Sequence, residues 1–127
     1  MLNKQEELRI WVAVRRDLDI PAGKLAAQTG HGFVTTIFEA MKMHPDVVNA
    51  YMAASQPKIV VWAKNAAELI KVHQACEEAG LPCAIITDAG RTVFPEPTLT
   101  VMAVGPCRFI DLPKSMKRLR LMEAPTA

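Results

Sequence analysis

Apolar residues follow two kinds of spacing along the chain, and the change between them predicts the order of elements. Residues 8–15 predict a strand, because branched apolar residues at every second position alternate with Trp11 and Ala13. Both faces of this strand are therefore apolar, as in an inner strand that helices cover on both sides. We expect it to lie inside the sheet.

Residues 22–43 change to helical spacing and predict a long helix on the sheet. His44-Pro45 interrupts this helix, and Pro45 suits the first turn of a second helix that ends near residue 54. The apolar side predicted for the long helix comprises Ala26, Gly30, Phe33, Val34, Ile37 and Met41.

The second half of the chain predicts three more strands and further helices. Residues 58–63 form a strand, and Asn65 with Glu68 resembles a capping box that opens a helix ending near Gly80. The remaining predicted elements are strands at 84–87 and 100–104, a loop at Pro95-Glu96-Pro97, a short helix near Pro113 and an apolar segment at 119–122.

This order of elements predicts an α/β fold: a three-layer α/β/α domain with a mixed four-stranded sheet. A chain of 127 residues is the size of one domain, so we expect a single domain over residues 1–127. Its 50% hydrophobic and 22% charged residues are typical of an ordinary globular protein and exclude extensive disorder.

The chain begins without the order of basic, apolar and small residues that marks a secretory signal, and its apolar runs fall short of the ~20 residues that cross a bilayer. We therefore expect a soluble, cytoplasmic protein with no membrane partner. Cys76, Cys83 and Cys107 are odd in number and lack Cys-x-x-Cys spacing. They predict reduced thiols, and neither disulfides nor a metal site.

The formal net charge of +2 neither requires nor excludes a nucleic-acid partner, because the distribution of charge matters more than its sum. Basic residues occur at the end of the first strand and in the tail. They form either a solvated face or a surface for a phosphate backbone. These residues are Arg15, Arg16, Lys114, Lys117, Arg118 and Arg120.

A stripe of polar residues runs along one side of the first predicted helix. Its members are Lys24, Gln28, His31 and Thr35, at spacings of four, three and four. A solvated helix face would give the same pattern. Gly23 precedes Lys24 at the helix start, where free backbone N–H groups and the helix dipole favour an anion. A phosphate or a developing oxyanion would suit this position.

Two glycines, Gly30 and Gly32, flank His31 within the same helix. Each costs ~1 kcal/mol of helix stability relative to alanine. We therefore expect close approach of a neighbouring backbone or a ligand at this point.

A second polar cluster, Asp88-Ala89-Gly90-Arg91-Thr92, follows directly on an apolar strand. Ligands collect beyond the carboxyl ends of strands in open α/β sheets, although a tight turn with positive φ at Gly90 explains the segment equally well. A carboxylate near Lys24 and Arg91 suits hydrolysis. Sequence motifs for serine hydrolases, P-loop proteins and dinucleotide-binding proteins are absent.

Taken in order, these segments resemble the archaeal and eukaryotic type of peptidyl-tRNA hydrolase, the second of two unrelated families with that activity. The segments that carry the resemblance are Val14-Arg15-Arg16-Asp17-Leu18, Gly23-Lys24-Leu25-Ala26-Ala27-Gln28 with His31, Gln56-Pro57-Lys58-Ile59-Val60-Val61, Gly80-Leu81, Asp88-Ala89-Gly90-Arg91-Thr92, Thr100-Val101 and Gly105-Pro106. The resemblance implies a compact homodimer that cleaves the ester between a peptide and the terminal ribose of tRNA. It implies no metal or organic cofactor and no DNA partner.

The resemblance also implies the site. Asp88 would orient or deprotonate the attacking water, and Lys24 would meet the oxyanion or a nearby phosphate. His31 would tune Lys24 or relay a proton. The other implied site residues, which would hold substrate, water or Asp88, are Gln28, Arg91, Thr92 and Thr100, with Gly23 and Arg15 among the substrate-binding residues.

The chain departs from residues common in that family at several positions. Val93 stands where many members have glutamine, Trp62 where a lysine is common and Gly32 where an alanine is common, and the loop at 95–97 lacks a Pro-Gly turn. Two other functions therefore stay open: a non-catalytic module that binds tRNA or a protein, and a hydrolase of another acyl ester or amide.

Overall fold

The computed structural model describes residues 3–123, which form four strands and four α-helices. In chain order the elements are β1 (Arg9–Arg15), α1 (Ala22–Met43), α2 (Pro45–Ala53), β2 (Lys58–Ala63), α3 (Ala66–Glu78), β3 (Cys83–Asp88), β4 (Thr98–Cys107), a 3-10 turn (Phe109–Asp111) and α4 (Lys114–Lys117). Every strand that the sequence predicts is present, although β4 is longer than the predicted 100–104. The 3-10 turn was not predicted.

The four strands form one mixed sheet in the order β2-β1-β4-β3. β1 and β2 are parallel, whereas β4 is antiparallel to both β1 and β3. Strands β1, β2 and β3 therefore run in the same direction, and their carboxyl ends lie together where β4 begins. We call this the carboxyl end of the sheet. The prediction of a mixed four-stranded sheet is confirmed.

Helices cover both faces of the sheet, so the predicted three-layer arrangement is also confirmed. On one face, Val12 and Val14 of β1 pack with Leu25 and Phe33 of α1. The alternate residues of the strands face α3 and α4 on the other side, because successive side chains of a strand point to opposite faces. Residues of that second core include Trp11, Ala13, Met102, Leu69, Val72, Cys76 and Met116.

The side of α1 that faces the sheet differs from the prediction. Ala26, Val34 and Met41 are exposed, whereas Gly30, Phe33 and Ile37 are half-buried. The predicted apolar side is therefore wrong for half of its members. The buried residues follow a four-residue spacing: Gln28, Gly32, Thr36 and Ala40.

Small residues, and polar residues with hydrogen-bond partners, explain why this side of α1 faces the sheet. A Cβ on Gly32 would lie 3.4 Å from side-chain atoms of Val12, Val101 and Ala103, so the helix sits close to the sheet. The hydroxyl of Thr36 donates to the carbonyl oxygen of Gly105 at 2.8 Å, which satisfies this buried polar group. The close approach predicted beside His31 is thus confirmed at Gly32. In the described chain no helix combines the length and apolar character needed to cross a membrane.

Two local predictions in the second half of the chain are confirmed. Asn65 accepts a hydrogen bond from the N–H of Glu68, and the Glu68 carboxylate accepts one from the N–H of Lys64. This is a variant of the capping box at the start of α3, because the Glu68 carboxylate binds the N–H of Lys64, one residue before the N-cap Asn65. The short helix predicted near Pro113 is α4.

The segment after α4 lies along the outer edge of β2. The N–H of Trp62 donates to the carbonyl of Arg120 at 2.8 Å, and the N–H of Met122 donates to the carbonyl of Val60 at 2.9 Å. Leu121 forms an antiparallel bridge with Val61. This segment therefore extends the sheet beyond β2 by one short stretch.

Candidate active site

Helix α1 begins beside the carboxyl end of the sheet, and its first turn carries Gly23 and Lys24. Leu25 donates the first helical hydrogen bond to the carbonyl of Pro21, at 2.8 Å, and no side chain caps the helix start. The N–H groups of the first turn are therefore free of a capping side chain. Open space lies where a Cβ on Gly23 would point.

The loop after β3 is shaped by a glycine. Gly90 has φ +78°, and a Cβ there would lie 2.4 Å from the carbonyl carbon of Glu96. Its N–H donates to Oδ2 of Asp88 at 2.9 Å. The positive φ predicted at Gly90 is confirmed, and the turn holds the Asp88 carboxylate in place.

Lys24 and Asp88, 64 residues apart in sequence, form an ion pair with Nζ and Oδ1 separated by 2.6 Å. Both side chains are largely buried, with 18% and 8% of their surfaces exposed. Nζ of Lys24 also donates to Oγ1 of Thr92 at 2.9 Å. Because Thr92 accepts from the ammonium, its own hydroxyl hydrogen remains available to a further acceptor.

Gln28 connects this ion pair to β4. Its Nε2 donates to Oδ1 of Asp88 at 3.3 Å, and its Oε1 accepts from the hydroxyl of Thr100 at 2.7 Å. Gln28 and Thr100 are both buried. We call Lys24, Gln28, Asp88, Thr92 and Thr100 the active-site network.

An irregularity in strand pairing turns Thr100 towards α1. Ile86 pairs with Val101 but Thr87 pairs with Leu99, so Thr100 is an extra residue on β4. Such a β-bulge lets consecutive residues face the same side, and both Thr100 and Val101 contact α1. Strict alternation of side chains along β4 does not predict this bulge.

The surroundings of Asp88 keep its carboxylate ionised. The hydrogen bond from Lys24 lowers the pKa of Asp88, the Gly90 N–H lowers it further, and burial opposes both effects only in part. A carboxylate of low pKa is a weak base. Asp88 is therefore better suited to orient a water and hold Lys24 than to remove a proton permanently.

Besides Gly23, three residues predicted for the site lie outside the network. His31 and Arg91 are exposed, and within residues 3–123 neither has an ion pair or a side-chain hydrogen bond. The guanidinium of Arg15 is held by Asp17 at 2.8 Å and by the carbonyl of Leu99 at 3.0 Å. Arg15 thus connects the ends of β1 and β4. Gly30, which was expected to allow close approach, faces open space.

The three cysteines are free thiols. Burial raises the pKa of Cys76 and Cys107 to about 12 and that of Cys83 to about 11. A thiol becomes nucleophilic through its thiolate, so none of them is activated. Among residues 3–123, no three His, Cys, Asp or Glu side chains are grouped to hold a metal ion.

Comparison with known proteins identifies the family. The family model described as "Peptidyl-tRNA hydrolase PTH2" matches residues 8–122. The peptidyl-tRNA hydrolase of Methanocaldococcus jannaschii is 34% identical over 115 residues, covering 91% of this chain and 100% of the relative. Those of Thermococcus onnurineus and Pyrobaculum aerophilum are 40% and 37% identical, covering 75% and 79% of this chain and 80% and 85% of each relative. The chain therefore belongs to the peptidyl-tRNA hydrolase PTH2 family.

Proposed function

We propose that this chain cleaves the ester between a peptide and the terminal ribose of tRNA, using water and no metal or organic cofactor. The observation that carries the proposal is the Lys24–Asp88 ion pair, 2.6 Å long and bound through Gln28 to Thr100, in a chain of this family. Such a network fixes a cation and a carboxylate before substrate arrives, and preorganised charges stabilise transition states most effectively.

Lys24 and Thr92 stabilise the developing oxyanion in this proposal. Attack of water on the ester carbonyl gives a tetrahedral intermediate with negative charge on its oxygen. The ammonium of Lys24 supplies a positive charge, and Thr92 can donate the hydrogen that its contact with Lys24 leaves unused. A phosphate of the tRNA end could occupy the neighbouring first turn of α1, at Gly23.

Asp88 orients the attacking water by accepting a hydrogen bond, which its ionised state allows. The water oxygen bonds to the carbonyl carbon, the bond between this carbon and the ribose oxygen breaks, and the proton released by water ends on the ribose oxygen. Lys24 donates to the departing oxygen and recovers a proton from the water. This exchange leaves the network in its starting state.

The residues predicted for the site but lying outside the network have supporting roles in this proposal. Arg91 contacts the tRNA, and His31 relays protons between Lys24 and solvent. Arg15, already bound to Asp17 and the Leu99 carbonyl, keeps β1 and β4 aligned beside the substrate.

The decisive experiment measures release of peptide from purified peptidyl-tRNA. Asp88→Asn and Lys24→Met should each lower kcat about 100- to 1,000-fold, because each removes a charge from the reacting centre. Matched controls are Asp46→Asn and Lys42→Met, which change exposed charges on α2 and α1. They should retain wild-type turnover.

Either of two results would contradict the proposed function and indicate another one. A wild-type protein that binds tRNA without releasing peptide is a binding module. One that hydrolyses small acyl esters or amides but leaves peptidyl-tRNA intact has another substrate. Activity in Asp88→Asn and Lys24→Met equal to their controls would show that the network has a structural role only.

We also propose that the chain forms a homodimer through α1 and α2. Val34 and Phe38 are 57% and 64% exposed, and with Met52 they border an apolar cleft of about 280 Å³. Large contiguous apolar patches mark contact surfaces. Light scattering should give a dimer for the wild type and a monomer for Phe38→Glu, whereas Ile70→Glu on α3 should stay dimeric. A monomeric wild type at micromolar concentration would contradict this.

Two further properties accompany the proposed function. We propose a single domain over residues 1–127, and the one sheet shared by all strands of residues 3–123 supports it. The protein acts in the cytoplasm, where peptidyl-tRNA is its substrate. Fractionation of cells that express a labelled copy tests the location.

A further inference from the structure

A second concavity lies at the carboxyl end of the sheet, on the face covered by α3 and α4. Its volume is about 350 Å³, within the range of small-ligand sites. Arg16 follows β1, Lys71 lies on α3, and Arg118 and Arg120 follow α4. We call these four residues and the space they line the basic pocket.

The charges of the basic pocket are only partly compensated. Glu68 is the one acidic residue that lines it, and its carboxylate also accepts the N–H of Lys64. Within residues 3–123, none of the four basic side chains lies within 4.0 Å of a carboxylate. Although the chain has a net charge of only +2, four positive charges meet one negative charge here, and this local excess favours an anion.

A hydroxyl group in the wall of the basic pocket also lacks a partner. Oγ of Ser115 is buried, and no atom of the described residues forms a hydrogen bond with it. Most buried hydroxyls in proteins are hydrogen-bonded, because an unpaired one loses its bonds to water without replacement. Because this oxygen is enclosed in the wall of the basic pocket, it is not itself exposed to a ligand there.

The basic pocket and the active-site network lie at the same end of the sheet but on opposite faces. Arg16 follows β1 and Asp88 ends β3, and these strands are parallel. A long polyanion whose reacting end lies at Asp88 can therefore extend past the ends of the strands towards Arg16. A small anion cannot reach the basic pocket and Asp88 at once, whereas an RNA backbone can. The placement of the two sites therefore favours RNA.

We propose that the basic pocket binds a backbone phosphate of the tRNA whose ester end occupies the active-site network. This inference rests on the proposed function. Arg118 and Arg120 hold the phosphate oxygens, and Arg16 and Lys71 complete the positive surface. The pocket contributes affinity and orientation, whereas the chemistry stays at Lys24 and Asp88.

The test compares two double variants that each remove two positive charges. Arg118→Gln/Arg120→Gln changes the basic pocket, whereas Lys4→Gln/Lys42→Gln changes exposed lysines elsewhere. Binding of deacylated tRNA is measured by fluorescence anisotropy over a series of salt concentrations. The pocket variant should bind roughly tenfold more weakly, and its plot of log K against log salt should be shallower by about 1 for each phosphate that it no longer neutralises. The control should match the wild type.

A single variant and a kinetic readout sharpen the result. Arg16→Gln, which removes one positive charge of the basic pocket, should fold normally and weaken tRNA binding a few-fold. With peptidyl-tRNA as substrate, the double pocket variant should show a higher KM and an unchanged kcat. Equal affinity and salt slope in the pocket and control variants would overturn the proposal.

Other outcomes separate the possible failures. Inorganic phosphate that binds the wild type but not the pocket variant, while tRNA binds both equally, would assign the pocket to a small anion and overturn the RNA proposal. A wild type that cleaves peptidyl-tRNA while both double variants bind it equally would overturn the pocket proposal alone. A wild type that neither binds nor cleaves tRNA would overturn the proposed function, and this inference with it.

Discussion

The two faces of the sheet differ in how they treat charge at its carboxyl end. On the α1 face, one ammonium meets one carboxylate at 2.6 Å, and Gln28 and Thr100 hold the pair by further hydrogen bonds. On the α3 face, four basic side chains and a single carboxylate surround a space, so positive charge is in excess there. The first arrangement fixes atoms precisely; the second leaves charge available.

The two faces therefore have different tasks: the network positions reacting atoms, and the basic pocket attracts the polyanion. A closed network keeps its geometry whether or not substrate is present, which suits bond-breaking at a defined atom. An open cluster of positive charges attracts a polyanion over a distance, and its effect weakens with salt. Changes on the α1 face should therefore alter kcat, and changes on the α3 face should alter KM and the salt dependence of binding.

The largest effect on kcat and stability is expected at Gly90, whose backbone conformation positions Asp88. In Gly90→Ala the new Cβ would meet the Glu96 backbone at 2.4 Å, with φ at an unfavourable +78°. The loop must shift and displace Asp88, so kcat should fall about 100-fold and the free energy of unfolding by about 1–3 kcal/mol.

The control for Gly90→Ala is Gly80→Ala, where φ is a similar +74° but the added Cβ meets open space. Steady-state kinetics and chemical denaturation measure both variants, and tRNA binding should keep its wild-type salt slope in Gly90→Ala. A folded Gly90→Ala protein with wild-type kcat would show that the loop geometry does not control the reaction.

The next effect compares a partnered hydroxyl with an unpartnered one. Thr100→Val removes the donor to Oε1 of Gln28 and should lower the free energy of unfolding by about 1–3 kcal/mol, with kcat about tenfold lower. Thr100→Ser keeps the hydroxyl and should therefore retain most of the wild-type stability and kcat. Ser115→Ala removes a hydroxyl without a partner and should change stability by no more than about 0.5 kcal/mol.

Urea denaturation of the three variants measures these differences. Equal losses of stability in Thr100→Val and Ser115→Ala would remove the distinction between a closed network and an open pocket.

A smaller effect concerns pH. The pKa of Asp88 lies below its ordinary value of 3.8, so the ionised carboxylate stabilises the fold above pH 3.8 and this contribution is lost as pH falls through the lower, folded value. NMR titration of the Asp88 carboxyl carbon should show this low pKa. Lys24→Met should raise it, because it removes the ammonium. An unchanged pKa in Lys24→Met would contradict the proposed pairing in solution.

The smallest effect marks the boundary of the network along α1. Gly30 lies in the middle of the helix with open space around its missing Cβ, so Gly30→Ala should raise the free energy of unfolding by about 0.5–1 kcal/mol. Its kcat and KM should equal those of the wild type. A higher KM would show that substrate approaches this turn and that the site reaches further than the network.

The sequence predicts the elements well because each has its own local signal. Alternation marks β1, the capping box at Asn65 marks α3, and Pro45 marks the start of α2. The resemblance to a family places Lys24, Gln28 and Asp88 in one site, and the structure brings them together through an ion pair and a hydrogen bond.

The inner side of α1 and the bulge at Thr100 could not be predicted from periodicity. Gln28 and Thr36 are polar but buried, because partners distant in sequence satisfy them, whereas Val34 and Phe38 are apolar but exposed. A pattern of apolar positions contains no information about such distant partners. The bulge depends on the register between β3 and β4, which only strand pairing reveals.

The short segment from Arg120 to Met122 has a consequence for how the protein behaves in concentrated solution. Its hydrogen bonds with Val60 and Trp62 occupy backbone groups that β2 would otherwise present at an open edge. Open edges recruit strands from other molecules and lead to aggregation. A shortened protein that lacks these few residues would therefore lose colloidal stability, even though its reacting groups lie on another part of the fold.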